Sequence, residues 1–384
     1  MQDMTEHIYD IAVIGGGIAG ASVAAELAAE LAPEARVVLI ERESQPGYHT
    51  TGRSAAIAIP TYGPATIRAL TRASEAFYRN PPDGFADHPL FSPRNVVMIA
   101  RPDQEDGLDA LVDEVGARPS LTRLDAAGLK AACPLLRDGY AAAGLLDTTG
   151  NDIDVAALHQ GYLRRFKAAG GEVRTRTEVA GLMREGEGWR IETPAGPIQA
   201  RIVVNAAGAW AGVLGAMAGA EDIGLIPKRR TATVIAAPEG TDVHALPMTI
   251  DIDEKFYLKP DAGRLLISPA DETPDMPGDV QPEELDVAIC VDRIETAFEV
   301  QVRRIENKWA GLRSFVADKN PVAGYSDKVP GFYWLAGQGG YGIQSAPALA
   351  RFAAAQITGR AVPADILDEG LAAADLAPGR LATP

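Results

Sequence analysis

The chain has 384 residues, of which 47% are hydrophobic and 23% are charged, so it is long enough for two domains and has an ordinary globular composition. Its formal net charge is -16, and an acidic surface repels phosphate backbones and anionic lipids. Binding to nucleic acid or to a membrane surface is therefore disfavoured.

The N-terminal part of the chain is predicted to form a parallel βαβ unit. Residues 8–14 (IYDIAVI) are typical of a buried strand, residues 18–31 (IAGASVAAELAAEL) of a helix, and residues 36–41 (RVVLIE) of a second buried strand. Residues 42–63 are rich in Gly, Ser, Thr and Pro and predict a long loop. Long ordered loops inside compact domains tend to be functional.

The rest of the chain alternates helices and strands, without internal repeats. The pattern predicts a helix at 64–79, a strand at 95–100 and a mainly helical stretch at 104–132. It then predicts a helix at 152–171 with an Asp N-cap, followed by a β-meander. Strands are predicted over 221–270 and 297–316, and a strand, a glycine turn and a helix over 331–359. Because a glycine turn between a strand and a helix occurs at both ends, we expect two domains whose segments alternate along the chain.

The first glycine turn predicts a dinucleotide site. Gly15, Gly17 and Gly20 have the spacing G-x-G-x-x-G, which permits a tight turn, close approach of a pyrophosphate to the backbone, and close packing of the helix on the strand. Glu41 ends the second strand, where a carboxylate can accept hydrogen bonds from an adenosine ribose. A purely structural turn is the alternative. NADP is disfavoured by the charge of Glu41 but is left open by Arg42 beside it.

Three further stretches favour FAD over NAD. The loop GYHTTGRSAAIAIPTYG follows the second strand, where a larger cofactor needs extra cover. The apolar strand at 201–210 ends in small residues that can pack against a flat ligand. The stretch GQGGYGIQ (337–344) precedes a helix whose N-terminal amides can face the pyrimidine edge of a flavin. A plain NAD dehydrogenase is the alternative.

These stretches resemble the D-amino acid oxidase family of flavoproteins, which includes glycine oxidase, sarcosine oxidase and D-amino acid dehydrogenases. Within the family, the chain is most similar to the FAD-dependent D-arginine dehydrogenase branch, through QPGYHTTGRSAA, DIDVAALHQGYLR, VNAAGAW, PKRR, FYLKPDAG, WAGLRSFVAD and QGGYGIQ. The resemblance spans nearly the whole chain. It implies an α/β fold in two lobes: a Rossmann-type FAD-binding domain, and a substrate domain built on an antiparallel sheet over the flavin.

The resemblance also implies how the two domains divide the chain. Residues 1–62, 151–215 and 319–384 are expected to form the FAD-binding domain. Residues 63–150 and 216–318 are expected to form the substrate domain.

The glycine turn and the resemblance together assign the FAD contacts. They are Gly15, Gly17, Ile18, Ala19, Gly20, Glu41, Arg42, Thr51, Arg53, Ser54, Ala55, Ala56, Val179, Ala207, Gly208, Trp210, Gly339, Gly340, Tyr341, Gly342, Ile343 and Gln344. Family members that bind flavin covalently use a cysteine in the C-terminal section. The cysteines here are Cys133 and Cys290, and neither lies near GLRSFVAD or GQGGYGIQ, so we expect non-covalent FAD.

The resemblance implies a clamp for the carboxylate of an amino-acid substrate. A planar guanidinium is the best fixed partner for that group. Arg313, in GLRSF, matches the family's carboxylate-binding arginine, and Tyr257, in FYLKP, matches a tyrosine that holds the same group. Arg230, in PKRR, matches a second polar contact, and Arg229 beside it is the rival.

Two further positions complete the predicted substrate site. Tyr62, in PTYG, matches a tyrosine on an active-site loop, and Gly340 matches a backbone carbonyl that faces the substrate amine. His49 lies in the loop beside the flavin contacts, but a lone histidine is more often structural, so we do not assign it as a base.

The chain departs from the D-arginine branch at two positions. That branch has a histidine where this chain has Ile57, and a glutamate that pairs with the substrate guanidinium where this chain has Val96. Leaving a buried guanidinium unpaired costs several kcal/mol. We therefore expect a neutral or apolar D-amino acid, rather than D-arginine, as the favoured substrate.

The implied reaction is oxidative deamination in amino-acid catabolism. Hydride passes from the substrate Cα to flavin N5, the imino acid hydrolyses to a 2-keto acid and ammonia, and the electrons pass to a quinone or other acceptor. An oxygen-using oxidase of the same fold, acting on D-amino acids, glycine or secondary amines such as sarcosine, is the alternative. A flavin-binding sensor without turnover is a third reading, which the clamp residues argue against.

The cysteine content and the absence of targeting patterns in the sequence suggest the cellular compartment of the protein. Two widely spaced cysteines make no metal site and fit a reduced, cytoplasmic setting. The acidic N terminus is not a secretory signal, and no apolar run approaches the roughly 18 residues of a spanning helix. We expect a cytoplasmic protein without a transmembrane segment. A peripheral position at the inner membrane, through a quinone, stays open.

Overall fold

The computed structural model describes residues 8–381. The outermost parts of the first and last predicted segments, residues 1–7 and 382–384, lie outside this range. The strands are β1 (Tyr9–Ile14), β2 (Val37–Ile40), β3 (Ile57–Ala58), β4 (Phe91–Pro93), β5 (Val96–Ala100), β6 (Leu121–Leu124), β7 (Ala143–Asp147), β8 (Asn151–Ile153), β9 (Glu172–Arg174), β10 (Gly181–Glu185), β11 (Gly188–Glu192), β12 (Ile198–Asn205), β13 (Ile226–Ile235), β14 (Met248–Asp251), β15 (Tyr257–Asp261), β16 (Arg264–Ser268), β17 (Thr273–Pro274), β18 (Ile305–Phe315), β19 (Val322–Tyr325) and β20 (Phe332–Ala336).

Helices lie between many of these strands. They are α1 (Ile18–Leu31), α2 (Ala65–Arg79), α3 (Glu105–Val115), α4 (Ala126–Ala132), α5 (Val155–Ala168), α6 (Ala211–Ala218), α7 (Glu284–Ala297), α8 (Gly342–Thr358) and α9 (Ala364–Leu367). No helix among residues 8–381 combines the length and apolarity needed to cross a membrane. Within the same range, no group of three or more His, Cys, Asp or Glu side chains is placed to hold a metal ion.

The first sheet has a parallel centre. Its strands β9, β2, β1, β12 and β20 are parallel neighbours in that order, and β19 adds an antiparallel edge. The hairpin of β10 and β11 pairs with the first half of β12. Helices α1, α5 and α8 pack together on one face, around buried residues such as Val13 and Leu39, and a second core with Trp189 and Trp334 covers the other. Burial on both faces is what a parallel sheet requires.

The carboxyl ends of four strands meet at one edge of this sheet. β1 runs into Gly15, β2 into Glu41, β12 into Ala206, and β20 into Gly337. In open α/β sheets, ligands bind outside the carboxyl ends of the strands. We therefore expect the predicted dinucleotide site at this edge of the sheet.

The second sheet has nine strands in the order β17, β13, β16, β15, β14, β5, β7 and β6, with β18 also paired to β13. All its pairs are antiparallel except β14 with β5, so the expectation of an antiparallel sheet holds apart from that one pair. The small third sheet, β3–β8–β4, carries the chain towards Tyr62. The α/β fold with a Rossmann-type sheet and a second sheet is confirmed, whereas the predicted segment boundaries stay a prediction.

Most predicted elements are present, and the errors concern short strands. The stretch 104–132 is mainly helical, as predicted, because it contains α3 and α4, but residues 121–124 form β6, which pairs with β7. The strand β9 was expected in the meander, but it pairs in parallel with β2. The predicted loop 42–63 contains β3, which pairs with β8. Each error is a short strand whose partner is distant in sequence.

Helix α5 holds the glycine turn in place. Its N-cap Asp154 accepts a hydrogen bond from the backbone N–H of Ala157, which confirms the predicted Asp cap. His159, which is 4% exposed, donates from Nε2 to the carbonyl oxygen of Gly16 at 2.9 Å. Burial lowers the pKa of His159, and the hydrogen bond to Gly16 only partly opposes this, so the ring is neutral near pH 7.

We predict that protonation of His159 destabilises the protein as the pH falls. The folded pKa lies below the unfolded value of about 6.5, so the stabilisation is complete above that pH and is lost at lower pH. Urea unfolding of the holoprotein should give a free energy that falls below about pH 6.5, with a slope of at most ~1.4 kcal/mol per pH unit from this one group. The H159Q variant, which keeps an N–H donor, should show a shallower slope.

The exposed histidine His244 provides the matched control, because it lies between β13 and β14 and its backbone contacts Asp242 and Arg94. The H244Q variant should retain the wild-type slope. Equal slopes for wild type and H159Q would show that His159 does not titrate on unfolding.

Candidate active site

Two adjoining cavities lie along the carboxyl ends of β1, β2, β12 and β20. The main cavity encloses about 1470 Å³, including its open mouth, and is bounded by this edge and by the second sheet. The side cavity measures about 1000 Å³, its open mouth included, and extends past the end of β2. Gly17, Thr51 and Gly208 line both cavities, so the two form one continuous trough.

The structure brings the predicted site residues together along this trough. The main cavity is lined by Gly17, Ile18, Ala19, Thr51, Arg53, Ser54, Ala55, Ala56, Tyr62, Gly208, Arg230, Tyr257, Arg313, Gly339, Gly340, Tyr341, Gly342, Ile343 and Gln344. The side cavity is lined by Gly15, Gly17, Glu41, Arg42, Thr51, Val179, Ala207, Gly208 and Trp210. Of the predicted residues, Gly20 alone lines neither, because it packs against the turn instead.

Close packing explains two of the three motif glycines. Gly15 has a φ of 108°, and a Cβ atom there would lie 2.4 Å from the carbonyl oxygen of Ala206. A Cβ atom on Gly20 would lie 1.8 Å from the carbonyl oxygen of Gly15. Side chains at these positions would push the turn away from β12 and from the helix, so the chain can follow this path only with glycine.

The N terminus of α1 points at the junction of the two cavities. The helix begins after Gly17, which has no side chain to cap it, and its first turn has no acidic residue. Thr51 accepts a hydrogen bond on Oγ1 from the backbone N–H of Ile18 at 2.9 Å. The other free amides and the positive end of the helix dipole are available to an anion, as they are where a pyrophosphate is bound.

The side cavity suits an adenosine without a 2′-phosphate. The two carboxylate oxygens of Glu41 accept hydrogen bonds from the N–H groups of Gly16 (2.7 Å) and Glu43 (2.8 Å), which holds the carboxylate at the cavity wall. Arg42, the residue that left NADP open, forms ion pairs with Glu43 at 3.3 Å and Glu178 at 3.7 Å and lies over the ring of Trp210. Its charge is thus already shared between two carboxylates.

Three residues that line the main cavity each carry a buried polar atom that has no hydrogen-bond partner within residues 8–381. These atoms are the Oγ of Ser314, the Nε2 of Gln338 and the Nε2 of Gln344. A buried polar group without a hydrogen bond is costly, so these atoms fit a polar ligand that occupies the cavity. Helix α8 begins beside them at Gly342, without an acidic residue in its first turn. The residues present therefore fit the polar edge of a flavin.

Arg313 lies at the end of β18 with its guanidinium in the main cavity. Its side chain is 13% exposed, and among residues 8–381 it has no hydrogen-bond partner; its one ionic contact is Glu272 at 4.0 Å. The guanidinium lies over the rings of Phe315 (5.3 Å) and Tyr341 (5.8 Å). A Cβ atom on Gly340 would lie 1.6 Å from the terminal nitrogen of Arg313, so the guanidinium rests against bare backbone.

Arg230 lines the same cavity, whereas its rival Arg229 does not. Arg230 donates from Nε to the carbonyl oxygen of Asp271 at 2.9 Å and from a terminal nitrogen to Glu272 at 3.3 Å. Burial lowers the pKa of Arg230, and the nearby charge of Arg313 lowers it further. Arg229 instead contacts carboxylates at Asp275 (3.0 Å), Glu283 (2.8 Å) and Asp286 (3.1 Å).

Tyrosine side chains form another part of the wall of the main cavity. The rings of Tyr62 and Tyr341 meet edge to face with their centroids 5.6 Å apart. Burial, and next the charge of Glu254, raise the pKa of Tyr62 well above its usual value, although Arg313 opposes this. The phenol of Tyr62 is therefore protonated at neutral pH. Tyr257, at the start of β15, also lines the cavity.

An apolar wall completes the main cavity. It is formed by Ile57, Ile59, Met248, Ile250 and Phe256. Val96 is fully buried behind this wall, where its strand pairs with β14 at Met248. The two positions that depart from the D-arginine branch, Ile57 and Val96, thus contribute no charge here.

The decisive comparison is with known families. The sequence matches the family described as FAD dependent oxidoreductase (DAO) over residues 10–356. The chain belongs to this family. FAD is its cofactor, in agreement with the trough, the glycine turn and the unpartnered polar atoms.

Similar proteins support this FAD-dependent oxidoreductase assignment. The chain is 25% identical to FAD-dependent oxidoreductase domain-containing protein 1 of Bos taurus, over 91% of this chain and 81% of that protein. It is 24% identical to glycine oxidase of Bacillus licheniformis, over 94% of this chain and 96% of that protein. It shares the fold of L-alpha-glycerophosphate oxidase from Mycoplasma pneumoniae, solved with FAD bound, with a TM-score of 0.82 and 17% identity over 92% of this chain and 95% of that one.

Several residues that line the main cavity of this oxidoreductase have no signal of their own in the sequence. Ser314 and Gln338 carry unpartnered atoms in the main cavity, and Met248 and Ile250 form its apolar wall. Ser314 follows Arg313 directly and Gln338 precedes the predicted Gly339, so adjacency was the available signal. Nothing local marks Met248 and Ile250, because their strand becomes a cavity wall only through pairing with β5.

The two cysteines of the oxidoreductase lie away from the trough. Cys133 and Cys290 are buried in the core between the second sheet and α7, and neither lines the main or the side cavity. Burial raises the pKa of Cys133 to about 11 and that of Cys290 to about 12. Both thiols are therefore protonated and unreactive at neutral pH. Non-covalent attachment of FAD stays our prediction.

We predict that the G20A substitution abolishes FAD binding. A methyl group at this position meets the Gly15 carbonyl oxygen, so the turn must open and the N terminus of α1 must move. The purified variant should be colourless, or should lose FAD on gel filtration, with an FAD Kd raised at least about a hundredfold. The flavin absorbance per polypeptide measures this.

The matched control is G212A, since Gly212 also lies in a helix but has only one neighbour, 4.0 Å from the added methyl group. It should retain FAD like the wild type. A yellow G20A protein with normal FAD affinity would mean that the glycine turn does not hold the cofactor.

Proposed function

We propose that this protein oxidatively deaminates D-amino acids with neutral or apolar side chains to 2-keto acids and ammonia, and passes the electrons to a quinone or other acceptor. When bound, FAD supplies the two-electron chemistry, which we propose to be acceptance of a hydride from the substrate Cα at flavin N5. The work of the protein is placement: it fixes the carboxylate, turns Cα towards the flavin and excludes competing groups.

The observation that carries the proposal is the guanidinium of Arg313, which has no hydrogen-bond partner among residues 8–381 and whose one ionic contact there is Glu272 at 4.0 Å. Its side chain is largely shielded from solvent, and it lies in the cavity that also holds the predicted flavin contacts. Arg230 lies nearby, and Tyr257 and Tyr62 line the same space. Such a site fits a substrate carboxylate, because a carboxylate can accept paired hydrogen bonds from a guanidinium. A sensor without turnover would have no need of this clamp.

The apolar wall supports the side-chain preference. Met248, Ile250 and Phe256 offer contact to an aliphatic or aromatic side chain, and Ile57 and Val96 provide no carboxylate for a guanidinium. Glu254 is the one residue with a carboxylate among the described residues that line the main cavity. It is exposed, at the mouth of that cavity. The D-arginine preference of the resembling branch is therefore not proposed for this chain.

The ionisable groups support a mechanism without a strong protein base. None of the described residues that line the main cavity is a histidine, and the phenols of Tyr62 and Tyr341 have pKa values raised by burial. The substrate amine therefore loses its proton to water before hydride transfer. The positive charges of Arg230 and Arg313 favour the neutral amine, because they repel an ammonium group.

The alternative is an oxygen-using oxidase acting on D-amino acids, glycine or secondary amines such as sarcosine. The similarity to glycine oxidase of Bacillus licheniformis over 94% of this chain favours it. The clamp suits these substrates equally, since all of them carry one carboxylate. Oxygen consumption in the steady state separates an oxidase from a dehydrogenase.

We predict that anaerobic mixing with neutral D-amino acids bleaches the flavin. A panel of D-leucine, D-methionine, D-alanine, D-arginine, their L-enantiomers, glycine and sarcosine gives the order of reactivity, followed as loss of flavin absorbance. D-leucine and D-methionine should react fastest, because their side chains match the apolar wall. Bleaching by L-enantiomers only, or by glycine and sarcosine only, would overturn the D-amino acid assignment; D-arginine as the best substrate would overturn the side-chain argument.

We predict that the R313M substitution leaves FAD in place but lowers kcat/KM for the best substrate at least about a hundredfold. The change removes the carboxylate partner while keeping an apolar stem against Phe315 and Tyr341. Arg264, an exposed arginine on β16 that pairs with Glu306, supplies the control variant R264M, which should behave as wild type. Wild-type kcat/KM in a yellow R313M protein would refute the clamp.

A further inference from the structure

We propose that Glu272 is a positioning residue of the carboxylate clamp: it holds the guanidiniums of Arg230 and Arg313 together and leaves their other N–H groups to the main cavity. Glu272 itself lines the neighbouring space beside Phe315 and Tyr341, and not the main cavity. The inference rests on the proposed function, because it concerns how the same clamp is built.

Three cations are brought to one face of the second sheet by strand pairing. β13 and β18 are antiparallel, with Lys228 directly opposite Arg313 and Arg230 opposite Gly311. Residues two apart on a strand share a face, so Lys228 and Arg230 lie on the same side. Like charges on neighbouring positions of a sheet repel. The cluster therefore needs a counter-charge to keep its geometry.

Glu272 contacts all three cations. One carboxylate oxygen lies 3.0 Å from the Nζ of Lys228. The other lies 3.3 Å from a terminal nitrogen of Arg230 and 4.0 Å from a terminal nitrogen of Arg313. A single carboxylate thus bridges the two guanidiniums that line the cavity.

The backbone next to Glu272 is fixed to β13. The carboxylate of Asp271 accepts hydrogen bonds from the backbone N–H of Thr231 at 2.6 Å and from its Oγ1 at 3.0 Å. The carbonyl oxygen of Asp271 accepts the Nε hydrogen bond of Arg230. These three bonds hold the segment against the strand, so the Glu272 carboxylate has little freedom to leave the cations.

Glu272 is ionised at neutral pH. Burial opposes its ionisation, but the hydrogen bond from Lys228 and the charges of Lys228, Arg230 and Arg313 outweigh this and hold its pKa below the usual value. Three cations facing one carboxylate leave an excess of positive charge towards the cavity. The neighbouring Arg229 differs, because three carboxylates lie within 3.1 Å of it.

The E272Q variant tests this role, because glutamine has nearly the same shape but lacks the charge. Without the counter-charge, the two guanidiniums should separate and meet a substrate carboxylate less well. In the holoprotein, we expect the Kd for acetate, a probe with a carboxylate and no amine, to rise about tenfold by flavin absorbance titration. The KM for the best amino acid should rise about tenfold and kcat should change less than about threefold. FAD content and melting temperature should stay at wild-type values.

The E272D variant tests the same role by length, since it keeps the charge but withdraws it by one methylene group. It should fall between wild type and E272Q in Kd and KM, and it carries the test alone if E272Q does not fold. D275N is the matched control. It removes a carboxylate partner of Arg229, which lies on the same strand as Arg230 but does not line the main cavity. This variant should leave the Kd and KM unchanged.

The outcomes separate the inference from the proposed function. A wild-type protein that neither binds acetate nor is reduced by any amino acid overturns the proposed function. A wild-type protein that does both, with Kd and KM in the Glu272 variants within about twofold of its own, overturns the positioning role alone. A fall in kcat with an unchanged KM also overturns it.

Discussion

The proposed carboxylate clamp depends on the guanidinium of Arg313, whose side chain is 13% exposed and which has no hydrogen-bond partner among the residues that the structure describes. Arg313 emerges from β18 into the main cavity, against the backbone of Gly340 and the rings of Phe315 and Tyr341. These contacts fix where the group lies but do not satisfy its N–H donors. A charged group without hydrogen-bond partners is costly to shield from water, which supports our proposal that a bound anion supplies the missing acceptors.

This guanidinium joins the two halves of the protein. Arg313 belongs to the second sheet, whereas Gly340 lies in the turn between β20 and α8 of the first sheet. The turn that faces the predicted flavin position is thus also the surface against which the clamp rests. A small shift of either sheet would change both the seat of the cofactor and the direction of the guanidinium. Residues 338–342 therefore border both the main cavity and, at Gly340, the guanidinium of Arg313.

Local patterns in the sequence predicted the cofactor half well. The strand, glycine turn and helix of residues 9–31 depend on neighbours along the chain, and the structure has them within a residue or two. Glu41 follows a strand that is recognisable by itself, and it lines the side cavity; its contact with a ribose stays a prediction. Strands β6 and β9 were missed or misplaced, since each is short and is defined only by a partner distant in sequence.

The prediction of the substrate-site residues depended on the family resemblance rather than on local sequence patterns. Nothing in PKRR distinguishes Arg230 from Arg229; the choice follows from strand alternation and from the carboxylates that surround Arg229. No local sequence pattern marks Met248, Gln338 or Glu272, because their neighbours in space come from other segments of the chain. Such contacts need the tertiary structure, and no window of sequence contains them.

The central claim is that Arg313 receives the carboxylate of the substrate beside the flavin. A crystal structure of the holoprotein with a bound 2-keto acid, the proposed product, tests it most directly. The account predicts the ligand carboxylate within about 3 Å of the Arg313 guanidinium, with the keto carbon over the flavin ring. A keto acid bound elsewhere, or an Arg313 that makes no contact with it, would contradict the account.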